Sequence, residues 1–144
     1  MIGANGHLVT NVPLERAFDW VADLRNEPLW NPSATNVELK TDDSPALGTV
    51  FEEDVKPLGH YVVTISEYDR PTRLEFDAQN PKARVTVRFD FRSLEQRETR
   101  IDGQLRVTLI GAMRFIEPVL RPMIRRDFES KRGPALKSAL EQHA

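Results

Sequence analysis

The side chains with the greatest chemical capacity gather in the middle of the chain. Glu52, Asp54, His60, Tyr61, Arg84, Arg88, Asp90 and Arg92 bring carboxylates, an imidazole, a phenol and guanidinium groups into one region. On the concave face of a sheet closing over a cavity, such groups orient a ligand. Where two of them have displaced pKa values, they can also carry acid–base chemistry. Spacing gives most of them a plainer role. Arg84, Thr86, Arg88, Asp90 and Arg92 alternate strictly with Val85, Val87, Phe89 and Phe91, the period of a strand with one wet and one dry face. The charged set then decorates solvent. Tyr61 shares parity with Val63 and Ile65, so its hydroxyl is expected as a polar point among apolar side chains.

Other chemistries lack the residues they need. His7, His60 and His143 lie far apart and form neither HxH nor HExxH, so no metal site is expected. No nucleophile elbow supports a Ser-His-Asp triad. Gly48, Gly59, Gly103, Gly111 and Gly133 never gather into a phosphate-binding loop and read as turns and breaks. Cysteine is absent, which removes disulfides, thiolate ligands and thiol nucleophiles. No cofactor is expected.

The elements that must position these groups are given by periodicity. His7 to Val12 reads as a first strand. Pro13 then opens a helix over LERAFDWVADL, with Leu14, Ala17, Phe18 and Val21 on its apolar face. Pro28 and Pro32 interrupt the next stretch, leaving a short helical turn at Asn26 to Trp30 with Trp30 as an anchor. Six strands are predicted next: Thr35 to Lys40, Thr49 to Lys56, His60 to Tyr68, Arg73 to Ala78, Arg84 to Leu94 and Ile101 to Ile110. Asp42, Asp43, Ser44, Pro45 and Gly48 mark the turn between the first two of these. Turns this short make successive strands antiparallel neighbours.

From Arg114 to His143 the apolar residues Ile116, Val119, Leu120, Met123, Ile124, Phe128, Leu136 and Leu140 recur at helical spacing. About thirty helical residues would reach roughly 45 Å. Only this segment is long enough to cover the dry face of the sheet. Pro118 and Pro122 place either a late start or a kink in its first turns, with Met113 to Leu120 as a separate lid-like piece. Gly133-Pro134 marks a second bend.

Size and charge bound the rest. The 144 residues suit one domain, 1–144. A formal net charge of -2 offers no bulk electrostatic attraction to nucleic acid, and none is expected as a partner. Arg121, Arg125, Arg126, Lys131, Arg132 and Lys137 make the polar side of the last helix basic, which leaves transient contact with a membrane surface as an expectation. No apolar run reaches transmembrane length, and MIGANGHLVTNV has no signal-peptide character, so a cytoplasmic setting is expected.

At this level the chain resembles the START-like, or SRPBCC, superfamily, and within it the polyketide cyclase/dehydrase and lipid-transport-like group. The resemblance rests on Val12-Pro13-Leu14-Glu15-Arg16-Ala17-Phe18-Asp19-Trp20, on Asp23-Leu24-Arg25-Asn26-Glu27-Pro28-Leu29-Trp30-Asn31-Pro32, on Leu47-Gly48-Thr49, and on Tyr68-Asp69-Arg70-Pro71-Thr72-Arg73-Leu74. It implies an α+β helix-grip fold: a curved antiparallel sheet of about seven strands around a long C-terminal helix, with two short helices after the first strand and a cavity between sheet and helix. Activity is not implied with it, since the superfamily spans cyclases, alkaloid enzymes, lipid carriers and hormone receptors. No catalytic motif of the superfamily stands in this sequence.

The residues expected to line the cavity are Trp30, Phe51, Val55, Tyr61, Val63, Phe76, Val87, Phe89, Leu105, Val107, Met113, Val119 and Met123. Two functions stand side by side. One is binding or transport of a hydrophobic small molecule, a lipid or polyketide-like compound. The other is a polyketide cyclase or dehydratase using polar groups in the cavity. Two convergent titratable groups would favour the enzyme; an apolar lining with one polar anchor would favour the carrier. Oligomeric state is left open.

Overall fold

The computed structural model describes residues 1–41 and 44–144; Asp42 and Asp43 of the expected turn lie outside the described residues. Its strands are β1 (Ile2–Thr10), β2 (Ala34–Leu39), β3 (Val50–Val55), β4 (Gly59–Asp69), β5 (Arg73–Gln79), β6 (Ala83–Ser93) and β7 (Thr99–Leu109). They form one curved antiparallel sheet in the order β1-β7-β6-β5-β4-β3-β2. β1 and β2, neighbours in sequence, therefore occupy opposite edges. The link between them is α1 (Leu14–Ala22) and a 3-10 turn, Leu24–Leu29.

β1 starts five residues earlier than its pattern predicts. Gly3, Asn5 and Gly6 have poor strand propensity and blur the alternation. Pairing with β7 overrides this, from Ile2 opposite Val107 to Thr10 opposite Thr99. α1 forms as expected: Pro13 precedes it, and its carbonyl accepts the first helical bond from the Ala17 amide at 2.8 Å. Ala17, Phe18, Val21 and Ala22 are buried. The Phe18 ring meets Tyr68 and Phe91 at centroid distances of 5.2 and 5.1 Å, closing one end of the sheet.

The long C-terminal element is continuous but changes pitch. A 3-10 segment, Gly111–Ile116, leads into α2 (Glu117–Asp127). A π-helical turn, Phe128–Arg132, joins α2 to α3 (Gly133–His143). The two prolines do not delay α2 until Pro122. Pro118 is its second residue, where the missing N–H has no partner to lose. Pro122 sits inside and removes one bond, the one that would reach the Pro118 carbonyl. The separate piece is thus Gly111–Ile116, and Glu117 to Leu120 belong to α2. Pro134 lies in the first turn of α3, after the widened turn.

That widened turn is where the helix comes closest to the sheet. Gly6 and Gly103 are direct partners across β1 and β7. The Phe128 ring packs over both; a Cβ on Gly103 would lie 3.3 Å from Phe128 Cζ. At Gly133 a Cβ would lie 3.1 Å from the His7 carbonyl oxygen. Gly103 and Gly133 therefore let the helix lie close against the β1–β7 side. Leu136, Ala139 and Leu140 of α3 are buried there. Glu141 accepts from the Thr10 hydroxyl at 3.0 Å and pairs with Lys137 at 2.7 Å. Among the described residues, no helix is long and apolar enough to cross a membrane.

Candidate functional site

A helix pinned to one side of a curved sheet leaves the middle of the inner face uncovered. The register shows which side chains that strips bare. Val63, Ala78, Val85 and Val107 form one cross-strand row on the inner face, and Phe76, Val87 and Leu105 form another. Ala78, Val85, Val87 and Leu105 are only partly buried despite central positions in the sheet. A cavity of about 760 Å³ lies over them. Leu24 and Trp30 close it from the α1–β2 connection, and Ile124 and Phe128 from the C-terminal helix. Exposed Lys56, Pro57, Met123, Arg126 and Lys131 form its rim, between the β3–β4 turn and the helix.

Of the thirteen residues expected to line it, ten do: Trp30, Val55, Tyr61, Val63, Phe76, Val87, Phe89, Leu105, Val107 and Met123. Three do not. Phe51 has the right parity but is fully buried in the core. Met113 packs against the core from the 3-10 segment before α2. Val119 is 68% exposed, because α2 presents Leu120 and Ile124 to the sheet and rotates Val119 outward. Trp30 meets the Phe89 ring edge-on at 6.4 Å, and its carbonyl accepts from Arg132 at 3.1 Å. Arg132 also pairs with Asp127 at 2.7 Å, so the guanidinium ties the π-helical turn to the α1–β2 connection.

The polar candidates sort by face. Arg84 pairs with Asp77, Arg88 with Glu75 and Arg73 with Asp90, all between β5 and β6 on the outer face. Glu52, Asp54 and His60 are outside as well. His60 spans the two carboxylates, with Nδ1 2.8 Å from Asp54 and Nε2 2.8 Å from Glu52. Both ring nitrogens must donate to satisfy this geometry, which favours the imidazolium. Its pKa is accordingly raised, first by the Glu52 hydrogen bond and then by Asp54. Most of the basic run on the last helix is neutralised locally: Arg121 by Glu117, Arg125 by Glu129, Arg132 by Asp127 and Lys137 by Glu141.

The groups inside the cavity are different ones. Tyr61 is inward and 5% exposed. Its pKa is pushed up to about 12, chiefly by burial; Asn80, hydrogen-bonded to it, opposes the shift and the charge of Glu53 adds to it. Glu53, opposite Tyr61 across β3 and β4, is also 5% exposed and lines the cavity. Its pKa rises from 4.5 to about 10, from burial first, then from a hydrogen bond with Glu27 and the negative charges of Glu27 and Asp54. Glu27 comes from the 3-10 turn and accepts from the Asn31 side chain at 2.9 Å. Glu27 Oε1 and Glu53 Oε2 are buried with no other donor among the described residues. A proton held on Glu53 and donated to Glu27 accounts for both atoms.

Sequence reasoning singled out Glu52 and Asp54 and passed over the residue between them. The signal was present: Glu53 has the parity of Phe51 and Val55, both read as inward. Glu27 had no such signal, because a 3-10 turn interrupted by Pro28 gives no reliable facing.

Fold and cavity together define an α+β helix-grip protein with an apolar-lined space between its sheet and its C-terminal helix. The chain belongs to the family described as polyketide cyclase/dehydrase and lipid transport, whose sequence pattern matches residues 6–141. Among solved structures it is similar to a START superfamily protein from Mycobacterium smegmatis, with 15% identity, a TM-score of 0.78 and 99% of each chain covered. It is also similar to truncated norcoclaurine synthase from Thalictrum flavum, at 11% identity and TM-score 0.71, covering 99% of this chain and 94% of that one. The di-domain aromatase/cyclase BexL from the BE-7585A biosynthetic pathway matches at 18% identity and TM-score 0.69; the alignment covers 99% of this chain and 50% of BexL. At these identities the likeness is one of fold. No curated protein matches the sequence.

Proposed function

We propose that this chain, acting as one unit over residues 1–144, binds a hydrophobic small molecule of lipid or polyketide-like size between its sheet and its C-terminal helix. The observation that carries the reading is the set of partly exposed apolar side chains, Ala78, Val85, Val87 and Leu105, around about 760 Å³ of space at the middle of the inner face. A well-packed interior leaves few voids larger than a water molecule, so a space of this size calls for an occupant. Native mass spectrometry after gentle purification tests it. A co-purified apolar compound, or stoichiometric uptake of the neutral dye Nile red, supports the reading; a protein that takes up neither refutes it.

The Glu27–Glu53 pair favours a second reading, a cyclase or dehydratase acting on a polyketide-like substrate. Two carboxyl groups sharing a proton in a dry site are equipment for acid–base catalysis. Relatives within the family description and BexL support that reading by analogy only. Contact with a membrane surface is a further part of the proposal. Phe115, Val119 and Met123 are 85%, 68% and 57% exposed on one stretch of the C-terminal element, and Met123 reaches the cavity rim. Exposed apolar side chains beside a ligand entrance suit delivery from a bilayer.

A further inference from the structure

We infer that the acidic wall of the cavity, where Glu53 and Glu27 face each other, receives the protonated amine of an apolar ammonium compound. The inference rests on the hydrophobic-ligand reading and names the head group that reading leaves open. One proton between two carboxyl groups leaves one negative charge inside an apolar cavity. A buried charge without a partner is costly until a counter-charge arrives. Among the described residues none supplies it. The charges acting on Glu53 are those of Glu27 and Asp54, both negative. Apart from the proton they share, Glu27 Oε1 and Glu53 Oε2 have no hydrogen-bond donor among the described residues.

Every other charged group around the cavity is accounted for. Arg132 is engaged by Asp127 and the Trp30 carbonyl. Lys56, Arg126 and Lys131 are exposed at the rim, and none is among the groups that shift Glu53. Asp54 points to the outer face, where Asn36 and His60 hold it. Tyr61 stands opposite Glu53. An ammonium group brings the one positive charge that the proton-sharing pair lacks, and N–H donors for the carboxyl lone pairs the shared proton leaves free. An alcohol brings one donor and no charge. A carboxylate brings a further negative charge to a pair that already repels one.

Decylamine, decanol and decanoate share a chain and differ only in the head. Their displacement of Nile red from the protein at neutral pH is the test. The expected order is decylamine tightest, decanol weaker by about tenfold or more, and decanoate weakest. The isosteric double variant Glu27→Gln/Glu53→Gln should lose the preference for decylamine over decanol. The rim cations make decanoate the informative rival: decanoate binding as tightly as decylamine overturns the assignment without touching the hydrophobic-ligand reading. So does an amine preference that survives in the double variant. Should the variant misfold, the wild-type order alone decides. If Nile red and all three chains fail to bind, both the assignment and the reading beneath it fall.

Discussion

Glu53 and Tyr61 stand directly opposite each other across β3 and β4, and both turn into the cavity. Their outward neighbours Asp54 and His60 form the next cross-strand pair, on the solvent face. Two adjacent pairs thus place one acidic group in a dry site and another in water. The two sites respond to pH in different ways.

The buried acid comes first. Glu53 has a folded-state pKa of about 10 against 4.5 for an ordinary glutamate, so between those values the native state holds a proton the unfolded chain has lost. Stability is therefore greatest below about pH 4.5 as far as this group is concerned, and falls as pH rises toward 10. The limiting slope is about 1.4 kcal/mol per pH unit. Urea denaturation from pH 5 to 9 should show a downward trend in the wild type that is flattened in Glu53→Gln. An equal trend in both proteins would mean that Glu53 titrates normally.

His60 sets up the outer response. Its raised pKa means that its small stabilising effect is present below the ordinary histidine value and fades as pH rises through the folded one. NMR titration of the ring should give a pKa above the ordinary histidine value. Replacing Glu52 and Asp54 together by Gln and Asn should return it to the usual range.

Glycine at 133 is expected to resist replacement although it lies in a helix. Alanine there gains about 1 kcal/mol of helix propensity. It also sets a Cβ 3.1 Å from the backbone oxygen of His7, which cannot rotate away. Gly133→Ala should cost about 1–2 kcal/mol net by chemical denaturation, as overpacking does. Gly6→Ala, whose Cβ would make ordinary contact at 3.6 Å, should be close to neutral.

Filling the cavity separates binding from folding. Val87 is partly buried at the middle of the inner face and lines the open space. Val87→Phe should weaken Nile red uptake several-fold while leaving the thermal midpoint unchanged or higher. A large drop in stability would show that the space is already occupied by protein atoms.

The exposed apolar stretch has its own test. Phe115→Asp with Val119→Asp should abolish co-sedimentation with vesicles containing phosphatidylglycerol. Both side chains are largely solvated, so stability should change by no more than about 0.5 kcal/mol. Equal sedimentation of wild type and variant would remove the membrane from the proposal.

The architecture was legible because its strands alternate and its turns are short. Val85, Val87, Phe89 and Phe91 face inward as their period demands, and Arg84, Arg88 and Asp90 find partners outside. The α+β helix-grip arrangement followed from those patterns and from the resemblance. The helix facing was harder. The apolar residues of α2, Val119, Leu120, Met123 and Ile124, span one broad face, so periodicity could not say whether Leu120 or Val119 would be buried. The close contacts at Gly103 and Gly133 fix where the helix meets the sheet, and no local pattern marks glycines from separate elements as one contact. The acid pair was hidden for a related reason. Charged residues are ordinarily read as solvated, and Glu53 sits between two that are.

The pairing of β1 with β7 has a consequence for how the chain comes to be made. The earliest strand of this sheet in chain order, Ile2–Thr10, lies at an edge of it and pairs there with Thr99–Leu109. Until that partner is synthesised, β1 carries unpaired backbone and the buried side chains Ile2, Leu8 and Thr10 with nothing to bury them. Strands β2 to β6 can meanwhile zip in order, each onto the one just made. Closure of the sheet is thus a late, long-range event that a nascent chain must wait for.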